Sequence, residues 1–407
     1  MGPLAGVKVL DLSRILAGPW ATQCLADFGA TIWKIEKPGS GDDTRQWGPP
    51  WLGDRQGKDS TESAYFLSAN RAKQSIAIDI SAREGQDVIR RLAQRVDVFV
   101  ENFKVGGLAR YGLDWAALQQ INPALIYCSI SAFGQDGPDA AGAGYDAMMQ
   151  GRGGLMSLTG NPPDEPGGGP QKVGVAVADL MTGMYAVAAI TAALYERRAS
   201  GLGQHIDLSL LDTQVAMLAN QNLNYLMSGR VPQRMGTAHP NLVPYQAIPA
   251  SDGAFMLAIG NDRQFTDFCR IAGREAFARD PRFINNAARV MNRRELITHI
   301  EVWCRERTQA QWLAELTANN VPCGPINDLA AVFADAQVQH RRMRVDLPHP
   351  ASGTVPQVRN PILYSRTALD YDRPPPLLGQ HSAAVLAAEA GIDDEEFEAL
   401  KLRGVVA

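Results

Sequence analysis

Residues 7–20, VKVLDLSRILAGPW, join a short apolar strand pattern to a glycine- and proline-containing turn that enters a helix. Pro19 suits the first turn of that helix, which is expected to run to about Phe28. Residues 31–36 are rich in β-branched and aromatic side chains and predict a second strand. The stretch therefore predicts a βαβ unit. It lacks the GxGxxG pattern of dinucleotide-binding folds, so it does not predict a dinucleotide site.

The same alternation continues along the chain. Further strands are predicted at 75–79, 96–101, 125–131 and 205–208, with helices at 82–95 and 115–120 between them, which indicates an α/β fold with a mostly parallel sheet. From about residue 220 the pattern changes to a hairpin and then helices, which is typical of a smaller α+β domain. We expect a Rossmann-like large domain from residues 1–219, a small domain with linkers at 220–330, and a return to the large domain at 331–407.

Composition excludes several classes of function. Of 407 residues, 45% are hydrophobic and 20% charged, which is ordinary for a globular protein, and the net charge of −4 argues against nucleic acid as the main partner. No apolar run of membrane-span length and no signal pattern are evident, so the sequence predicts a cytoplasmic protein without a membrane segment. The five cysteines form no CxxC pair and the six histidines no HExxH motif, so no metal site is predicted.

A second stretch, VGVAVADLMTGMY at residues 173–185, places a single acid, Asp179, between a run of small apolar residues and a helix-forming segment that extends to Arg198. Two interpretations are open. From this stretch alone the favoured one is a helix N-cap, because aspartate accepts the unpaired N–H groups of a first turn. The other is a carboxylate nucleophile, which some enzymes use to form covalent intermediates.

Basic residues recur at predicted strand ends and in the adjoining loops: Lys37, Arg45, Arg71, Lys73, Lys104 and Arg110. In a parallel sheet, ligands bind beyond the carboxyl ends of the strands. Such a cluster suits a phosphorylated ligand. For any one of these residues taken alone, a solvated surface charge is the favoured interpretation.

Several motifs, in order and at similar spacing, resemble family III CoA-transferases nearly end to end: residues 11–19, 35–42, 100–103 and 134–138, and the Asp179 segment. Residues 236–239, 243–247, 260–265 and 373–381 are similar to the succinyl-CoA:glutarate, or dicarboxylate, branch of that family. The resemblance implies transfer of CoA between an acyl-CoA thioester and a free carboxylic acid. It also implies an interlocked homodimer and no tightly bound cofactor, with the CoA thioester as a substrate.

The resemblance identifies Asp179 as the catalytic nucleophile. The CoA contacts that it implies are Ile15, Leu16, Lys37, Asn102, Phe103, Arg110 and Tyr111. The predicted CoA site is completed by Arg71, Lys73, Tyr145 and Asp146. A dicarboxylate acceptor also needs a partner for its second carboxylate, and the candidates are Arg14, Arg234, His239 and Arg263.

Two differences from the formyl-CoA branch and from the racemases of this fold family narrow the range of expected activities. The formyl-CoA branch has a run of glycines where residues 236–239 here contain one, so formyl transfer is not expected. Acyl-CoA racemases of the same fold family carry histidine at the position of Tyr145, and a phenol is a poor base near neutral pH. A racemase is therefore the alternative function, and a non-catalytic CoA-binding protein is the third.

Overall fold

A computed structural model describes residues 2–407, which divide into two compact units. The larger unit contains the described residues up to Leu155 together with Val173–Met227 and Ala336–Ala407. The smaller unit contains Met156–Lys172 and Ser228–Asp335. Residues 156–172 belong to the smaller unit although they precede the predicted boundary at residue 220. Their glycines and prolines indicate only a long connection.

The strands are β1 (Lys8–Asp11), β2 (Thr31–Glu36), β3 (Trp51–Gly53), β4 (Asp59–Ser63), β5 (Gln74–Ala77), β6 (Val98–Glu101), β7 (Ile126–Ser131), β8 (His205–Ser209), β9 (Tyr245–Pro249), β10 (Ala254–Ala258), β11 (Cys323–Pro325), β12 (Arg344–His349) and β13 (Gly353–Val358). The helices are α1 (Ala17–Asp27), α2 (Ala64–Ala69), α3 (Arg83–Ala93), α4 (Trp115–Ile121), α5 (Asp146–Arg152), α6 (Leu155–Leu158), α7 (Val177–Ser200), α8 (Leu210–Ala216), α9 (Asn220–Ser228), α10 (Asp262–Ile271), α11 (Glu275–Arg279), α12 (Asn286–Met291), α13 (Arg293–Cys304), α14 (Gln309–Ala318), α15 (Leu329–Ala334), α16 (Ala336–His340), α17 (Ser382–Val385) and α18 (Asp394–Leu402). Short 3₁₀ turns lie at Asp43–Gln46 and Ala109–Tyr111, and a π-helical turn at Leu386–Ala390.

The larger unit is built on a six-stranded sheet in the order β5-β2-β1-β6-β7-β8. Every pair of neighbours is parallel, which confirms the predicted α/β class. From β1 the chain proceeds outward to β2 and β5, then returns to the other side of β1 to form β6. The carboxyl ends of β1 and β6 therefore flank the switch point of the sheet, where open α/β sheets bind their ligands.

Both faces of this sheet are covered by apolar side chains. On one face Leu10, Trp33 and Phe99 pack with Ile89 and Leu92 of α3 and with residues of the C-terminal segment. On the other face the buried residues of α1 and α7 cover Val9, Ile32, Val100 and Cys128. Burial on both faces explains why these strands are nearly continuous apolar runs. The C-terminal return thus completes one core of the larger unit.

Helix α7 is the exception to the expectation that no segment has the length of a membrane span. Its 24 residues are long and apolar enough to pass that test. Its buried residues, however, include Ala186, Val187 and Ile190, which belong to the core against the sheet. Packing in the core of the larger unit accounts for the apolar composition of the helix.

The smaller unit has its own core around an antiparallel sheet in the order β11-β10-β9. Phe255 of β10 stacks on Trp312 of α14, and Phe265 and Phe268 of α10 join the same cluster. The smaller unit therefore combines an antiparallel sheet with helices, as an α+β arrangement requires.

Candidate active site

The site is built around the first turn of α7. The helix begins at Val177, and the N-cap position is Ala176, which provides no side-chain cap. The interpretation of Asp179 as the N-cap is therefore wrong, because this residue lies inside the first turn. The capping carboxylate comes from α5 instead: Asp146 accepts hydrogen bonds from the backbone N–H of Ala178 at 2.8 Å and of Asp179 at 3.4 Å.

The side chain of Asp179 is half-buried and lines a cleft in the larger unit. Burial, and then the negative charge of Asp146, raise the pKa of Asp179 from its ordinary value of 3.8 to about 7. Both causes disfavour the ionised carboxylate. A carboxylate that is poorly hydrated and lacks a basic partner is more reactive than one held in an ion pair, so the surroundings suit a nucleophile.

The cleft around Asp179 is formed by the loops that follow β1, β6 and β7 and by the start of α7. Its other lining residues are Arg14, Ile15, Leu16, Ala17, Asn102, Phe103, Lys104, Val105, Ile130, Ser131, Ala132, Ala140, Gly142, Ala143, Gly144, Tyr145 and Leu210. Histidine is absent from this lining within the described residues. Tyr145, at the position where racemases carry histidine, is 60% exposed and faces the cleft.

A second cleft adjoins the first, because Arg14 and Phe103 line both. It also contains Lys37, Arg110 and Tyr111. The side chains of Lys37 and Arg110 are exposed, and the guanidinium of Arg110 lies over the ring of Tyr111, 4.5 Å from its centroid. Exposed cations beside an aromatic ring can bind phosphates and a purine base.

The loop after β1 is fixed to the loop after β6 across the switch point. Asn102 accepts from the backbone N–H of Arg14 at 2.9 Å and donates to its carbonyl at 2.7 Å. The N–H of Phe103 donates to the carboxyl of Glu101 at 2.8 Å. Asn102 therefore shapes the cleft by holding the backbone, and its amide is already committed before any ligand binds.

Two residues that were predicted to contact CoA have structural partners instead. Arg71 is 2% exposed and forms an ion pair with Asp27 at 2.7 Å. Lys73 is 3% exposed, and its ammonium lies 3.2 Å from Asp11. Neither side chain lines either cleft. Moving one to a phosphate would leave a buried carboxylate without its counter-charge, so we remove both from the CoA site.

Asp146 was predicted to lie in the CoA site, but its side chain caps helix α7 instead. It is 8% exposed, and besides capping α7 it accepts a hydrogen bond from Gln150 at 2.7 Å. It does not line the Asp179 cleft. Its two effects on Asp179 are to hold the backbone of the first turn and to add a nearby negative charge.

These hydrogen bonds also limit oxyanion stabilisation by α7. The N–H groups of Ala178 and Asp179 point to Asp146, and those of Val177 and Leu180 donate to the carbonyls of Val175 and Ala176. The first-turn N–H groups that an N-cap or an oxyanion would use are therefore occupied. Any donor to a developing oxyanion has to come from elsewhere in the cleft.

The four candidates for the second carboxylate lie in different units. Arg14 lines both clefts, with its side chain 47% exposed and 3.0 Å from Asp43. The other three, Arg234, His239 and Arg263, belong to the smaller unit. Arg234 donates to the carbonyl of Asn161 at 3.3 Å, and Arg263 is 3.9 Å from Asp267. Their role toward a substrate stays a prediction.

Sequence reasoning missed one residue that shapes the cleft. Asp42, in the glycine-rich loop after β2, accepts from the backbone N–H of Ile15 at 3.3 Å while paired to Lys34 at 2.8 Å. The sequence does single out this loop as functional, but nothing local distinguishes Asp42 from the neighbouring Asp43.

Among the described residues, no group of three or more histidine, cysteine, aspartate or glutamate side chains is arranged to hold a metal ion.

Comparison with known proteins identifies the family. The model of CoA-transferase family III matches residues 4–382. A succinate–glutarate CoA-transferase of Agrobacterium fabrum is 51% identical, with 95% of each chain covered. Human succinyl-CoA:glutarate CoA-transferase is 43% identical over 99% of this chain and 90% of its own. The crystal structure of a CaiB/BaiF family protein from Brucella suis matches with a TM-score of 0.83 and 49% identity, over 95% of this chain and 99% of that one. With this fold and these relatives, the chain belongs to CoA-transferase family III.

Proposed function

We propose that this enzyme moves CoA between succinyl-CoA and a dicarboxylate of four or five backbone carbons, with Asp179 as the covalent carrier. The observation that supports this most directly is the placement of Asp179. It is half-buried, it has no basic partner among the described residues, and its cleft shares Arg14 and Phe103 with the cleft that contains Lys37 and Arg110. The names of the relatives above support dicarboxylates as donor and acceptor.

The proposed reaction proceeds through acyl transfers at carboxyl carbons. The Asp179 carboxylate attacks the carbonyl of the donor thioester, and the C–S bond breaks to give a mixed anhydride and CoA thiolate. The thiolate attacks the aspartyl carbonyl, which releases the donor acid and leaves an aspartyl-CoA thioester. The acceptor carboxylate then displaces the thiolate, forming a second anhydride. Finally the thiolate attacks the acceptor acyl carbon, which gives the new acyl-CoA and free Asp179.

The two clefts would divide the work of holding CoA. Lys37, Arg110 and Tyr111 suit the phosphates and base of the nucleotide end. Phe103 and Ile15, which line the same cleft as Asp179, suit the less polar arm that carries the thioester. Such fixed positioning raises the effective concentration of the reacting groups, and exclusion of water protects the anhydride from hydrolysis.

The second carboxylate of the acceptor needs a cation or several donors, because an unpaired charge in a water-poor cleft is costly. Arg14 is the candidate within the larger unit, since it lines the Asp179 cleft and its planar fork matches a carboxylate.

The interlocked homodimer and the cytoplasmic location stay predictions. Strongly exposed apolar side chains such as Leu226 and Met227 support a partner surface, and light scattering would test for a dimer.

The test of the substrate class uses succinyl-CoA as donor and compares glutarate and succinate with the monocarboxylates valerate and butyrate. We expect specificity constants at least roughly a hundredfold higher for the dicarboxylates, because donors built for the second carboxylate are left unpaired by a monocarboxylate. Equal constants for the two sets would contradict the dicarboxylate assignment. Epimerisation of a branched acyl-CoA without any exchange of CoA would favour the racemase.

A further inference from the structure

The loop of residues 13–16, between β1 and α1, forms the wall shared by the two clefts and is held in an unusual way. Ser13 is fully buried, with its N–H donating to Asp11 at 2.9 Å and its carbonyl accepting from the ammonium of Lys34 at 3.0 Å. Both backbone groups of Arg14 are bound by Asn102. The loop is therefore fixed by side chains from several strands and loops, not by regular secondary structure.

Ile15 is the strained residue of this loop. Its φ is +71°, in the left-handed region that β-branched residues avoid because of steric strain. The next turn is also tight, since a Cβ on Gly18 would lie 2.2 Å from the Ser13 hydroxyl. Backbone strain persists only where surrounding contacts determine the conformation. The contact made by the N–H of Ile15 is the carboxylate of Asp42, with both oxygens at 3.3 Å.

Asp42 is in turn fixed from behind. It is 1% exposed, and it accepts from Lys34 at 2.8 Å and from the N–H and hydroxyl of Thr44 at 3.0 and 2.8 Å. Its own N–H donates to Glu36 at 3.0 Å. Despite burial, the ion pair and these hydrogen bonds lower the pKa of Asp42 to about 2. The carboxylate therefore stays ionised at neutral pH, and the hydrogen bonds from Lys34 and Thr44 hold it in place.

We propose that Asp42, with Lys34, is a positioning residue that holds the strained Ile15 loop in its CoA-binding shape. This rests on the proposed function, because the loop matters only if CoA occupies the clefts. Asp42 acts through the backbone: it binds the N–H of Ile15, while Lys34 binds the carbonyl of Ser13. A preformed wall lowers the ordering cost of ligand binding, so the pair contributes to affinity for CoA more than to the chemical step.

The test compares Asp42→Asn with the matched variant Asp27→Asn. Asp27 is another buried aspartate of the larger unit, paired with Arg71 and absent from both clefts, so its loss lowers stability without touching the loop. Titration calorimetry with free CoA is expected to show about tenfold or more weaker binding for Asp42→Asn and less than about twofold change for Asp27→Asn. Equal affinity in both variants would overturn the proposal. No binding of CoA by the parent protein would instead contradict the proposed function.

A double-mutant cycle separates positioning from general destabilisation. Glycine adopts positive φ without strain, so the loop of the Ile15→Gly variant depends less on its anchor. The loss of CoA affinity caused by Asp42→Asn should therefore be at least about threefold smaller in the Ile15→Gly background. Equal losses in both backgrounds would show that Asp42 acts by another route.

Hydrogen exchange on the parent protein decides the question even if Asp42→Asn fails to fold. The amides of residues 13–16 should be protected in the free protein, and added CoA should change their exchange by less than about threefold, because the loop is already in its bound shape. Protection that appears only with CoA would overturn the proposal.

Discussion

Two groups of charged residues lie beside the two clefts, and they differ in how their carboxylates are paired. Behind the Ile15 loop each acid has a base: Asp42 pairs with Lys34, and Glu36 with Arg45. At the start of α7 the charge acting on Asp179 is that of a second acid, Asp146. The first group lowers the pKa of Asp42 to about 2, and the second raises the pKa of Asp179 to about 7.

The surroundings of each acid determine what it can do. A carboxylate held by a buried cation and three further donors is stable and unreactive, so it can fix backbone. A carboxylate without a cation retains the free energy that solvation or pairing would have released, so it can attack a thioester.

The largest effect is expected from Asp179→Asn, which should lower CoA transfer by at least roughly a thousandfold because the covalent carrier is removed. Affinity for CoA should change by less than about threefold, since the amide keeps the shape of the side chain. Steady-state transfer and titration of CoA check the two parts. Asp212→Asn is the control, because Asp212 also lies in the first turn of a helix of the larger unit. Comparable loss in both variants, or substantial turnover by Asp179→Asn with deamidation excluded by mass spectrometry, would remove the proposed nucleophile.

The second effect concerns pH. Since the carboxylate is the attacking form, kcat/KM for the acyl-CoA donor should rise with pH through about 7 and fall by about tenfold per pH unit well below it. Asp146→Asn removes the like charge, so the midpoint should move to lower pH, and at the acid end the variant should retain more of its own maximal rate than the parent. An unchanged midpoint would show that Asp146 does not act on Asp179 electrostatically.

The smallest effect is on stability. The pKa of Asp179 is raised by folding, so its ionisation disfavours the folded state, with a cost that grows as pH rises from about 3.8 to about 7 and then stays constant. At pH about 8 we expect Asp179→Asn to be more stable than the parent by about 1–2 kcal/mol, with a difference that shrinks toward pH about 4. Denaturant unfolding at both pH values measures this. A variant that is less stable at the higher pH would contradict the unpaired state of Asp179.

Local patterns in the sequence predict the regular elements well. Residues 31–36 were predicted with the bounds observed for β2, because their β-branched and aromatic side chains are a clear strand pattern. The β12–β13 hairpin was missed, since Pro348 and Pro356 argue against strands. Proline is tolerated there because a two-stranded ribbon leaves alternate N–H groups without a ladder partner.

Charge pairing was the part that the sequence could not show. Arg71 and Asp27 are 44 residues apart, and Lys73 and Asp11 are 62 apart, so only the folded sheet brings them together. The sequence also could not show how the adjacent residues Asp42 and Asp43 differ in burial and pairing. One is buried against Lys34, while the side chain of the other is 50% exposed beside Arg14. Local signals single out Asp179, because small apolar residues and a helix start meet there, but they favoured a helix N-cap. The prediction of a nucleophile came from the resemblance to the family.

Trapping the intermediate on Asp179 would test its covalent role directly. The enzyme is mixed with succinyl-CoA alone, quenched rapidly, treated with hydroxylamine and digested for mass spectrometry. An activated aspartyl carbonyl reacts with hydroxylamine to give a hydroxamate. We therefore expect this modification on the peptide that contains Asp179, and its absence in Asp179→Asn. Transfer that proceeds at full rate with no modification of this peptide at any quench time would contradict the covalent role of Asp179.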